Sequence, residues 1–177
     1  TVLPPGALRE LVGIAAHPLN QPRVDPRLRR VVAGHGILQP RIVAAWPTDA
    51  SGQNQATGFH RLFAGASGSD PYNAVASEVY QDLFDEGSFT GKGLLHVATL
   101  HAVLADRMPT EQVLSHDLLE GALVRCAVVT DVTLIEPDPG HADAAAARGH
   151  RWARGDWQLL PFLRRPRDWP LGALNRW

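Results

Sequence analysis

Asp117-Leu118-Leu119-Glu120-Gly121-Ala122-Leu123-Val124-Arg125, with Val128-Val129-Thr130-Asp131-Val132-Thr133-Leu134-Ile135-Glu136 just behind it, decides the fold class. The first stretch opens on an acid and has Glu three residues later. That is the form of a helix capping box, with Asp117 as N-cap and Glu120 reaching back. The second is dense in β-branched residues, which suit a pleated strand, and Pro137-Asp138-Pro139-Gly140 closes it. An Ala-rich segment from Ala142 begins a final helical region. Helix, strand and helix in succession favour an α/β domain with a mixed sheet flanked by helices.

Upstream the alternation continues. Gly36-Ile37-Leu38-Gln39-Pro40-Arg41-Ile42-Val43 reads as a strand, with Pro40 favouring an edge or a bulge. Pro4-Pro5-Gly6 ahead of Ala7-Leu8-Arg9-Glu10-Leu11-Val12 predicts a helix opened by proline. Ala16 to Arg30 reads as irregular, with a turn at His17-Pro18-Leu19-Asn20, and Thr48 to Gly58 as a polar loop. Tyr72, Ala76, Val79, Tyr80 and Leu83 are spaced for an amphipathic helix over Tyr72–Phe84. Leu94 to Ala105 again has helical periodicity.

Composition sets the class. The chain has 177 residues, 45% of them hydrophobic, which suits one domain with a sizeable core. Lys and Arg number 17 against 18 Asp and Glu, so no global charge signal points to nucleic acid. From Arg148 onward, however, seven arginines face two aspartates, and four of the five tryptophans lie there. The lone Cys126 excludes an internal disulfide and fits a reducing compartment. Nothing resembles a signal peptide, and no apolar run reaches the roughly 18 residues that span a bilayer. A start at Thr1 suggests a piece of something longer.

Chemistry concentrates in Arg148-Gly149-His150-Arg151-Trp152-Ala153-Arg154-Gly155-Asp156-Trp157-Gln158. Arg148, Arg151 and Trp152, at i, i+3 and i+4, share one helical face. Such a face offers cations to phosphate oxygens and a flat apolar plate to a sugar ring. It would equally suit a membrane surface, and a site for a charged sugar donor could sit just above one. Gly87-Ser88-Phe89-Thr90-Gly91-Lys92-Gly93 lacks the glycine spacing of a phosphate loop, leaving an anion-binding backbone nest or ordinary turn chemistry. Beside its capping role, Asp117 could accept a proton, and His116 could ligate metal or tune that carboxylate. The remaining histidines show no zinc spacing, and no Gly-x-Ser-x-Gly elbow is present. Rival readings are a membrane-peripheral or carbohydrate-binding module and a metal-dependent hydrolase.

Taken in order, several blocks resemble the glycosyltransferase domain of bacterial cyclic β-1,2-glucan synthases. They are His17-Pro18-Leu19-Asn20, Gly36 to Arg41, Ser69-Asp70-Pro71-Tyr72, Tyr80-Gln81-Asp82-Leu83-Phe84, Glu86 to Gly93, Leu114 to Gly121 and His150 to Pro161. The resemblance implies part of a GT-A-type domain on the cytoplasmic face of the inner membrane, held there by the rest of a multi-pass polypeptide. Residues 1–140 would supply sheet and helices of the catalytic core, and 141–177 the Arg-Trp motif with a membrane-interface segment. UDP-glucose would be the donor and the growing β-1,2-glucan the acceptor, with no nucleic acid partner. By the same resemblance Asp117 is the catalytic base, with His116 replacing the first acid of the family's acidic pair. Arg151 and Trp152 end the Gln-x-x-Arg-Trp motif, and Arg148 stands where its glutamine usually is. Lys92, His116 and Arg148 join Arg151 and Trp152 as substrate-binding candidates. Mg²⁺ or Mn²⁺ is expected on an Asp-x-Asp pair upstream of Thr1. The isolated piece is therefore expected to be inactive, and its uncovered edges to favour self-association.

Overall fold

The structure, a computed structural model, describes residues 1–48, 51, 53–63, 79–108 and 113–163. Its centre is a three-stranded mixed sheet of order β4-β3-β5, formed by β3 (Ile37–Ala45), β4 (Leu94–Leu95) and β5 (Cys126–Pro137). The long strands β3 and β5 run parallel, and β4 pairs antiparallel with the start of β3. The strand reading around Gly36–Val43 therefore holds, and so does the one at Val128–Glu136, which extends two residues earlier. Pro40 marks a bulge rather than an edge. Register slips there, from Pro40 opposite Val129 to Arg41 opposite Thr133, because proline has no N–H to continue the ladder.

Side chains alternate across the sheet with period two, and each face meets helices. Ile37 and Cys126 point into a core with Val103 of α4 (Val97–Leu104), Leu119, Leu123 and Val124 of α5 (Asp117–Val124), and Leu159 of α6 (Ala142–Leu163). Leu38, Ala127 and Val129 face the other way, onto Ala7 and Leu11 of α1 (Ala7–Ala16), and a short α2 (Gly58–Phe63) follows β3 in the chain. The outer edge of β5 is also occupied. The Gln81 amide, on α3 (Val79–Phe84), bonds both the N–H and the C=O of Val128 at 2.6 and 3.0 Å, as a neighbouring strand would. Gly87 N–H reaches Cys126 O at 2.8 Å, and Val2 exchanges both bonds with Ile135 at 2.7 and 3.1 Å.

Several local expectations need correction. Ala16 to Arg30 is not wholly irregular. It holds a 3₁₀ turn at Pro18–Asn20 and the start of a hairpin between β1 (Arg23–Asp25) and β2 (Arg30–Ala33). Helix α1 is not opened by proline inside its first turn, since it starts at Ala7 behind Gly6, whose φ of 90° is left-handed. Leu94 and Leu95 form β4, because Leu94 and Leu95 pair with Leu38 and Ile37. The helix then begins at Val97, with His96 accepting from Thr99 N–H at 3.2 Å as its cap. Of the helix expected over Tyr72–Phe84, residues 72–78 lie outside the described residues, as does everything after 163. Among the described residues no helix is long and apolar enough to cross a membrane.

Candidate active site

Asp117 does not cap its helix. The N-cap is His116, with no side-chain capping bond, and Glu120 N–H bonds His116 O at 2.9 Å. The helix thus starts one residue earlier than the capping box requires, and Asp117 is its first helical residue. Its Oδ2 instead accepts a 2.8 Å hydrogen bond from Ser115 Oγ. The same oxygen faces Gly91, where an added methyl would lie 2.8 Å from it. Gly91 has φ +96°, so it is demanded both by backbone conformation and by the carboxylate beside it.

The glycine-rich turn is held against α5 from below. Buried Gln39 accepts from Thr90 N–H at 2.6 Å and from Thr90 Oγ1 at 3.0 Å, and donates to Ser88 O at 3.0 Å. Phe89 is buried against Gly121, where a methyl would come within 2.8 Å of its Cβ. The N–H groups of Gly87 and Thr90 are therefore already bonded within the protein, which removes them from any anion nest.

Helix α6 comes to the same place. Gly155 is buried, and a methyl on it would be in ordinary contact, 3.8 Å, with Leu114 and Ser115. Gln158 Oε1 accepts from Leu114 N–H at 2.8 Å. Arg151, Gly155, Gln158 and Leu159 follow i, i+4, i+7 and i+8 spacing, so the exposed Arg151 lies on the face that meets the Leu114–Asp117 segment, one turn before Gly155. Trp152 is half exposed.

The other two cations are committed to acids at the C-terminal end of β5. Lys92 forms an ion pair with Glu136, which also accepts from Thr1 Oγ1 at 3.2 Å. The bond from Lys92 holds the Glu136 carboxyl below its ordinary range. Arg148 bonds Asp138 at 3.1 Å and lies over the Trp152 ring at 5.0 Å from its centre. Arg148 is thus a buttress for Trp152 in this geometry. His116 Nε2 is buried without a hydrogen-bond partner. Among the described residues, no three His, Cys, Asp or Glu side chains gather to hold a metal ion. Ser115, Gly91 and Gln158 escape sequence reasoning, although a hydroxyl two residues before an acid is a usable signal.

Half-buried Glu120 feels this site. Burial raises its carboxyl above the usual 4.5, the Asp117 charge adds to that, and His116 opposes it. A carboxyl raised in the folded state adds most stability below about 4.5, and that contribution is lost as pH rises through the folded value. Glu120→Gln is therefore expected to raise the melting temperature at neutral pH. The difference should vanish in acid. A thermal melt series across pH checks both halves.

No protein-family model matches the chain. Over 171 residues, 97% of its length, it is 48% identical to the cyclic beta-(1,2)-glucan synthase NdvB of Rhizobium meliloti (strain 1021). Nearly the whole chain thus matches one segment of that synthase. It spans 6% of that relative's length, so most of such a synthase lies outside it. In the described structure the Gly87–Gly93 turn meets Asp117 at Gly91, and Leu114 and Ser115 meet α6 at Gly155 and Gln158.

Proposed function

We propose that this segment carries the acceptor-activating side of an inverting glucosyltransferase, which moves glucose from UDP-glucose to the 2-hydroxyl of a growing β-1,2-glucan. The observation that carries the reading is the Asp117 carboxylate. It is released from capping, lies beside a glycine that presents no side chain, and follows directly on Leu114 and Ser115, which meet α6 at Gln158 and Gly155.

In the step proposed, Asp117 takes the proton of the acceptor 2-hydroxyl. The oxygen attacks the anomeric carbon from the face opposite UDP, the bond from that carbon to the phosphate oxygen breaks, and configuration inverts. Arg151 offsets charge on the departing diphosphate through charge-assisted hydrogen bonds. Trp152, propped by Arg148, stacks on the apolar face of a glucosyl unit. A divalent ion held by residues outside this chain would neutralise further diphosphate charge. The ion pair of Lys92 with Glu136 must open before Lys92 can reach a substrate.

Placement at the cytoplasmic face of an inner membrane is part of the same proposal. It is supported by Trp157 and Leu160, which stand exposed on the outer side of α6, as an interfacial helix requires.

Membranes containing the full-length synthase are the material for the test. Labelled glucose should pass from UDP-glucose, and not from ADP- or GDP-glucose, into a glucan whose methylation products are 2-linked. Incorporation from another nucleotide sugar, or another linkage, would overturn the assignment. The segment alone is expected to transfer nothing, since the remainder of the donor site lies outside it.

A further inference from the structure

Between the proposed base and the Arg-Trp helix runs the strap Leu114–Asp117, and its attachments form a continuous chain of contacts. Gln158 Oε1 accepts from Leu114 N–H at 2.8 Å, which pins the strap to α6. Gly155 of the helix faces Leu114 and Ser115, where an added methyl would lie 3.8 Å away. Ser115 Oγ then donates to Asp117 Oδ2 at 2.8 Å. Gly91 closes the other side of that oxygen. One carboxylate oxygen is thereby engaged, and the lone pairs of the other are left for a substrate proton.

We propose that Ser115 and Gln158 are positioning residues: together they form a strut that sets the angle of the Asp117 carboxylate relative to the helix carrying Arg151 and Trp152. This rests on the reading of Asp117 as base. Neither residue needs to touch substrate. Gln158 sets where the strap lies against the helix. Ser115 sets which carboxylate oxygen faces the acceptor. A proton acceptor displaced by even an ångström from its hydroxyl loses much of its rate advantage, on the order of 10²-fold. Binding of the donor is left as it was, because the strut makes no donor contact.

The test uses the full-length synthase in membranes, with equal abundance checked by immunoblot. Ser115→Ala and Gln158→Leu should each lower kcat by roughly 10- to 100-fold, with KM for UDP-glucose unchanged. Ser115→Thr keeps the hydroxyl and Gln158→Glu keeps the acceptor oxygen, so both should restore turnover. Adding Ser115→Ala to Asp117→Asn should cause no further loss, since the serine acts only through the carboxylate. If Asp117→Asn is inactive while Ser115→Ala and Gln158→Leu turn over normally, the strut is wrong and the base stands. If well-populated Ser115→Thr is as slow as Ser115→Ala, the hydroxyl is not the operative group and the strut is again overturned. If Asp117→Asn stays active, the base assignment falls and the strut falls with it.

Discussion

Asp117→Asn in the full-length protein is expected, on the proposed role of Asp117 as general base, to lower glucan synthesis by about 10²–10⁴-fold, the usual loss when such a base is removed. The protein should stay folded. An amide oxygen can still accept the Ser115 hydroxyl, and the side chain keeps its shape beside Gly91. What disappears is the capacity to take up a proton. Because α5 has no capping bond from this residue, the substitution should leave helix stability nearly unchanged. A true N-cap would have lost about 1 kcal/mol on truncation to Ala. The comparison is therefore sharp: Asp117→Ala should abolish turnover with little change in melting temperature. A large stability loss with retained turnover would restore the capping role.

Arg125→Ala should destabilise the domain by roughly 1–3 kcal/mol, the scale for stripping a hydrogen-bond donor from carbonyls that packing partly shields. Arg125 is 8% exposed and joins α5 to β5 at a φ of 57°. Its guanidinium donates to Val32 O at 3.0 Å and to Asp85 O at 2.7 Å, and pairs with Asp85 Oδ2 at 2.8 Å. Its Nε lies 3.5 Å from Glu86, which Arg30 also approaches at 3.4 Å. One side chain thus ties β2 to the residues that lead into the glycine-rich turn. Asp85 is well exposed, so its ion pair contributes little by itself. The two carbonyls dominate. Urea unfolding should show the lowered midpoint, and limited proteolysis should show faster cleavage between Glu86 and Gly93. A shift below about 1 kcal/mol would mean that water replaces the guanidinium, which mutational scales allow only for accessible groups.

The long elements were legible because their signal is local. The β-branched run of β5 and the apolar stretches on either side of Pro40 in β3 are visible in composition, and the missing donor of Pro40 pointed to an edge or a bulge, of which the structure has the bulge. Short elements were not. Leu94 and Leu95 continue a helical pattern, and only their pairing with β3 makes them a strand. The hairpin after Pro18–Asn20 hides behind turn-forming residues for the same reason: its strands exist through each other. At the site, residue types pointed to Asp117, Arg151 and Trp152. They also suggested Lys92 and Arg148 as available cations, whereas each is paired with an acid on or just beyond β5. Pairing across 44 residues, as between Lys92 and Glu136, leaves no trace in local spacing.

By itself the sequence determined the α/β class, the two principal strands, the helical Arg-Trp segment and kinship with a glucan synthase, since periodicity and block identity survive without coordinates. Tertiary structure alone decided what Asp117 does in the fold. The capping box is a pattern of residue types, but which donor a carboxylate accepts from depends on which groups packing brings within 3 Å. Here Ser115 supplies the donor, while Gly91, 26 residues before Asp117 in the chain, leaves the room that the carboxylate oxygen occupies.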